Sequence, residues 1–216
     1  SSILIWTTTP WTIPANRAIA FSSKYEYGLY EVIEIEEGSL AKIGEKIIIN
    51  NSLKENLENA SKTKINLIQN VDEIEKLVCQ HPFNSLGYDF DIPLLEGEFV
   101  TDETGTGFVH IAPSHGQDDY DLASKNGIEA PFMIDDEGIY LPSVKVFAGK
   151  KVYEDDGSYG DGNGAVIREL INCNALFAKG KLRHQYPHSW RSKAPLLFRN
   201  TPQWFISMEK NNLRNK

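Results

Sequence analysis

Cysteine is scarce. Cys79 and Cys173 are the only two in 216 residues, and they stand far apart, with no C-x-x-C pair. That excludes a disulfide framework and a cysteine zinc site, and a reducing, cytoplasmic compartment is the simplest expectation. No apolar run approaches the ~20 residues of a membrane span, and the opening Ser1-Ser-Ile-Leu-Ile-Trp6 lacks the charged start of a signal peptide. No membrane partner is therefore expected. Basic residues are also in deficit, with 22 Lys and Arg against 30 acids and a net charge of −8, which argues against indiscriminate nucleic-acid binding. The charge is uneven. Fourteen acids and four lysines lie between Glu98 and Asp161, whereas Lys179, Lys181, Arg183, Arg191 and Lys193 form a run with two histidines and no acid. Such a run reads as a solvated face or as a local patch for a polyanion.

Several motifs are missing too. There is no G-x-S-x-G elbow, and Gly105-Thr-Gly107 meets neither P-loop nor dinucleotide spacing. Tyr159-Gly-Asp-Gly-Asn-Gly164 lacks the terminal Glu of a calcium loop and reads as a plain loop.

What is present is concentrated in Gly105 to Asp121, where a glycine pair, two histidines and three acids share seventeen residues. Alternation puts Phe108 and His110 on one face of a strand and Val109 and Ile111 on the other, so that His110 faces a cleft if Val109 and Ile111 face the core. Ser114 with Gln117 has the form of a capping box, predicting a helix from about His115 to Asn126-Gly127 with Asp118 and Asp119 in its first turn. His110 and Asp119 would then meet across a strand–helix corner.

Elsewhere the patterns predict strands over 3–6, 17–21, 27–36, 46–50, 64–69, 92–95 and 98–101, with further short pieces at 131–134, 138–141 and 150–153. Ser52 with Glu55 predicts a short capped helix to about Ser61, Val71 to Val78 a second, and Ala165 to Leu176 the longest. The expected fold is mixed α/β but mainly β: a β-barrel core with short peripheral helices, in one domain spanning 1–216, with a basic return segment over about 179–216.

His110, His115 and Asp119 could ligate a metal, but H-x4-H with an intervening proline does not place both histidines on one face of a strand, and no metal is expected. Ser114 beside Pro113 suits a structural role better than that of a nucleophile. The remaining set has no protein nucleophile: hydroxyls of Thr7, Thr8 and Thr9, the His110 imidazole and the Asp119 carboxylate. It could position a water and a substrate ammonium, which suits hydrolysis of an activated aminoacyl ester among other options.

Three stretches together resemble isoleucyl-tRNA synthetases of bacterial type. They are Trp6-Thr-Thr-Thr-Pro-Trp-Thr-Ile-Pro-Ala-Asn16, the Gly105-Thr-Gly-x-Val-His110-x-Ala-Pro-x-His115-Gly-x-Asp-Asp119-Tyr run, and His184-x-Tyr-Pro-His-x-Trp-Arg191 with Thr201-Pro-Gln-Trp-Phe205. The signatures of the synthetic site are absent. Ser114 stands where the family usually has Gly, and Ser189 where Cys is common. The resemblance implies the class I editing-domain fold and a ligase fragment with aminoacyl-tRNA hydrolase activity. The implied substrate is valine misattached to isoleucine tRNA, with valyl-adenylate as a further candidate and cognate isoleucine rejected. It implies no cofactor in this segment, ATP and magnesium belonging to the parent enzyme, and as partners the tRNA acceptor end and the remainder of the synthetase. By the same resemblance Asp119 holds the α-ammonium, Thr7, Thr8 and Thr9 contact the aminoacyl group and terminal adenosine, Trp11 packs beside them, His110 lines the side-chain pocket and helps exclude isoleucine or else holds the ribose and the water, and His115 belongs to the substrate-binding set. The alternatives are an editing domain of a valyl or leucyl system, which typically has Arg and an acid where Thr9 and Trp11 stand, and an acceptor-end binding module inactive in isolation.

Overall fold

Isoleucines 47, 48 and 49 form an unbroken apolar run because both faces of their strand are covered. Among the described residues this strand is one of eight: β1 (Ser2–Ile3), β2 (Ala18–Phe21), β3 (Tyr27–Ile35), β4 (Lys46–Asn50), β5 (Thr63–Asn70), β6 (Val78–Gln80), β7 (Asp91–Glu96) and β8 (Val109–Ile111). Three α-helices accompany them: α1 (Lys54–Ser61), α2 (Gln117–Lys125) and α3 (Asp161–Asn172). These come from a computed structural model that describes residues 1–180, 186–191 and 193–215.

The strands form two four-stranded sheets, ordered β1-β4-β3-β5 and β6-β7-β2-β8. Side chains from the two sheets meet in a shared core. Ile48, Tyr27, Ile19, Phe21 and Phe108 lie in that layer with Ile92 and Leu94. Ile47 and Ile49 point the other way, packing with Leu57 of α1. Ala18, Ala20 and Ile111 pack on the opposite outer side with Ala123 of α2. Two sheets between two helices is thus the central arrangement, with strand alternation deciding which layer each residue joins. A fourth cluster, around Phe83, Tyr140, Phe147, Val152 and Val166, is covered by α3 and the 3-10 turn Pro10–Ala15.

Of the expected fold, the mixed sheets with short peripheral helices are present, and among the described residues no ladder closes either sheet into a barrel. The sheets are tied by side chains and by the loop before β8, where Asn50 N–H donates to the Thr106 carbonyl at 2.9 Å and Tyr27 Oη–H to the Gly107 carbonyl at 3.0 Å. Gly107 has φ +80, and a Cβ there would lie 2.3 Å from Cβ of Asn50, so only glycine allows this approach.

Other local expectations change as well. The helix predicted over 71–78 is a 3-10 turn (Ile74–Lys76) followed by β6, because Ile74 is buried while Val78 is exposed in a β ladder with Pro93. Residues 98–101 form no strand, and 3–6 contribute only β1. Neither capping box forms. Asn50, not Ser52, caps the turn before α1, and Gly116 begins α2 while Ser114 Oγ donates to the Pro131 carbonyl. The Gly-Asp-Gly-Asn-Gly stretch, expected as loop, is the first turn of α3. No helix among the described residues is long and apolar enough to cross a membrane.

Candidate functional site

Strand β8 and the start of α2 do form a corner, and Thr7 to Thr9 face it across a cleft of about 470 Å³. That volume lies within the range of small-ligand sites. Thr7, Thr8, Thr9, His110, His115 and Asp119 all line it, together with Thr12, Asp118, Gly105 and Gly107. Trp11 does not. It is 2% exposed and belongs to the core behind the wall, where its ring meets that of His115 edge-on at 4.6 Å.

The threonines are not equivalent. Thr7 Oγ1 accepts from the Thr9 backbone N–H at 3.0 Å, folding the segment into a local turn. The turn that follows brings Thr12 inward. Its N–H and its hydroxyl both donate to the Thr9 carbonyl at 2.9 Å. Thr12 Oγ1 also lies 2.9 Å from His110 Nε2. A hydroxyl has one proton, and with that proton on Thr9 the Thr12 oxygen accepts from His110 Nε2–H. His110 is then the Nε2–H tautomer, and its Nδ1 is a buried lone pair with no partner among the described residues. Thr12 belongs to the threonine-rich stretch but was not singled out from sequence; only its spacing from Thr9 along a turn could have marked it.

His110 pairs in register with Ile19 and so points to the inter-sheet layer, at the edge that opens into the cleft. Burial, with smaller effects from His81 and His115, lowers its pKa to about 3. His115 is lowered to about 4 by burial; its Nδ1 is 2.9 Å from the Phe198 carbonyl and so carries the proton, leaving Nε2 buried and unpartnered. Both imidazoles are neutral acceptors at pH 7. His81 is neutral as well, lowered to about 4 by burial, but both its nitrogens are engaged, by the Ile13 carbonyl and the Phe83 N–H.

Asp119 sits in the first turn of α2, where its Oδ2 accepts from Ala112 N–H at 2.8 Å. Burial raises its pKa to about 6, against the lowering effect of that bond, and neighbouring Asp118 adds to the rise. It has no basic partner: among the described residues no ion pair includes it. A cation entering the cleft would supply one.

Of the basic run, Lys179, Arg191 and Lys193 are exposed, while Lys181, Arg183 and His184 lie outside the described residues. The return segment reaches the cleft wall through the Phe198 carbonyl on His115, and Asn200 Nδ2 donates to the Ala130 carbonyl beyond α2.

No protein-family model matches the chain. Among curated proteins, isoleucine–tRNA ligases of Agrobacterium fabrum and Rhodopseudomonas palustris are 47% and 48% identical over 226 and 224 residues, covering 97% of this chain. The chain spans only 23% and 22% of their lengths. Among solved structures, the crystal structure of GlLeuRS-CP1 matches with a TM-score of 0.58 at 17% identity, covering 83% of this chain and 84% of that one, and so shares its fold.

Proposed function

The chain belongs to the isoleucine–tRNA ligase family as a segment of about 23% of its relatives' length, and from that premise we propose that it is the family's hydrolytic proofreading unit. It cleaves the ester joining valine to isoleucine tRNA and spares the isoleucyl ester; valyl-adenylate is a second substrate of the same chemistry. The observation that carries this reading is the convergence of Thr8, His110 and Asp119 on one cleft from segments a hundred residues apart.

The chemistry follows from what each group offers. Asp119, a carboxylate without a cation, binds the α-ammonium through charge-assisted hydrogen bonds. Thr8, whose hydroxyl has no protein partner among the described residues, and the Thr7–Thr9 turn hold the aminoacyl group and the terminal ribose. His110 offers a fixed, neutral acceptor. Water attacks the ester carbonyl carbon, the bond to the ribose oxygen breaks, and valine and a free terminal hydroxyl leave. No side chain need act as nucleophile, so the rate comes from holding ester and water in place. A second site is needed because one methylene is worth only about 1–3 kcal/mol in a pocket, isoleucine against valine being the standing illustration of that limit. Here rejection comes from a wall: with His110 and Thr12 fixed against each other, the extra methylene of isoleucine has nowhere to go.

A deacylation panel decides. This chain should hydrolyse Val-tRNA(Ile) and leave Ile-tRNA(Ile) and mischarged valine and leucine tRNAs intact. Binding of the acceptor end with every ester left whole would replace this reading with that of a docking platform.

A further inference from the structure

We propose that Asn163, in the glycine-rich first turn of α3, is a positioning residue for this cleft, acting through Trp11 on the Thr12–His110 pair. Asn163 Oδ1 accepts from the Trp11 backbone N–H at 3.0 Å across 152 residues of sequence. The carbonyl of the same residue accepts from the buried Tyr140 hydroxyl. Trp11 is thus held on both sides of its backbone by side chains from the far half of the chain, while its indole lies against His115. It is the second residue of the 3-10 turn Pro10–Ala15, whose next residue, Thr12, presents the hydroxyl that receives His110 Nε2–H.

The turn is also held further along, where the Ile13 carbonyl lies 3.0 Å from His81 Nε2 and Thr12 bonds back to the Thr9 carbonyl, but at its start the two long-range bonds to Trp11 set the register. Its N-cap, Thr9, makes no side-chain cap, and Pro10 brings no donor. α3 itself is anchored: Gly162 N–H donates to the Lys151 carbonyl at 2.8 Å, and Asp161 Oδ1 accepts from Lys151 N–H at 2.9 Å. A Cβ on Gly160 would lie 2.3 Å from that carbonyl oxygen, so the glycines let the helix start press close enough for Asn163 to reach Trp11. The stretch that reads as a loop is the strut of the site's rear wall. Removing the Asn163 acceptor frees the Trp11 peptide, loosens Thr12, and lets His110 leave its single tautomer and orientation.

The selectivity arm rests on the proofreading reading; the spectroscopic arm does not. In this chain labelled with 15N-histidine, Asn163→Leu should move the His110 Nδ1 and Nε2 resonances toward each other, as expected when tautomers mix. It should also lower the preference for Val-tRNA(Ile) over Ile-tRNA(Ile) by about ten-fold, the scale of one lost buried hydrogen bond. Asn163→Asp, which keeps the oxygen acceptor, should restore both. Tyr140→Phe removes the hydroxyl from the other side of the Trp11 peptide at nearly constant volume and should shift the same resonances, which keeps the test decisive if Asn163→Leu does not fold. Unchanged His110 resonances in a folded variant overturn the proposal. If no ester is cleaved by the parent chain, the proofreading reading fails and the resonances alone decide the role of Asn163.

Discussion

At the scale of the residue, Asp119 holds a tension that can be measured. Burial keeps its pKa near 6, against an ordinary value of 3.8, yet it must be ionised to hold an ammonium. His110 and His115 are neutral down to about pH 4, so neither can produce an acid limb near 6. Deacylation of Val-tRNA(Ile) should therefore fall as pH drops through 6, reaching about a tenth of its plateau one unit below. Asp119→Asn should lose most activity and the limb with it; an unchanged limb would assign the titration elsewhere. Stability runs in the opposite sense. The folded chain keeps this proton up to about pH 6 while the unfolded chain releases it near 3.8, so Asp119 alone lowers stability as pH rises between those values. The thermal midpoint of Asp119→Asn should then gain on the parent from pH 4.5 to 7, and a constant difference would show that burial is not what raises the carboxyl. Much of this residue's placement was legible beforehand: an acid in the first turn of a helix following His110 could be placed from spacing alone. Its bond to Ala112 N–H and its burial could not, because both depend on how the loop at Pro113 packs.

Among the elements, α3 shows where reading by pattern stops. Three glycines in five residues argue against a helix by intrinsic preference, at about 1 kcal/mol each relative to alanine, and a plain loop was the consistent expectation. Tertiary contact overrides that preference. Gly160 and Gly162 allow close approach to the Lys151 carbonyl, whereas Gly164 has no atom within 4 Å of where its Cβ would stand. The three should accordingly respond differently. Gly160→Ala should destabilise the chain by about 1–3 kcal/mol through overpacking, while Gly164→Ala should be neutral or stabilising by up to about 1 kcal/mol. Urea melts of the two variants check this, and equal effects would mean that the glycines serve only flexibility. β4, by contrast, was placed to the residue, because three isoleucines between Lys46 and Asn50 leave no other reading. In both capping boxes another residue took the cap position: Asn50 caps the 3-10 turn that leads into α1, whose own N-cap is Leu53, and Gly116, between Ser114 and Gln117, caps α2. A local motif cannot report a competitor set by the surrounding fold.

For the whole molecule, the two sheets, their outer helices and the core under α3 bury His81 and His110 and half-bury His115, all as neutral rings. His81, His110 and His115 are all held well below their ordinary 6.5 by burial. Each binds a proton in the unfolded chain at pH 6 that it does not bind when folded. Stability contributed in this way is present above about pH 6.5 and lost as pH falls toward 4, in the sense opposite to Asp119. Three imidazoles outweigh one carboxylate, so acidification over this range should destabilise the fold, at about 1.4 kcal/mol per pH unit for each net proton. His81 is the cleanest place to test this, since it lies outside the cleft lining and its ring nitrogens meet backbone groups, with the Arg17 charge adding a smaller lowering effect to that of burial. His81→Gln should lower the urea midpoint at pH 7 by removing a well-packed ring, and it should also flatten the pH dependence between 6.5 and 4.5 by about one proton. Parallel midpoint curves for parent and variant would place the acid sensitivity outside the buried histidines. The same burial that keeps His110 and His115 as neutral acceptors at the cleft thus makes the fold that holds them sensitive to acid.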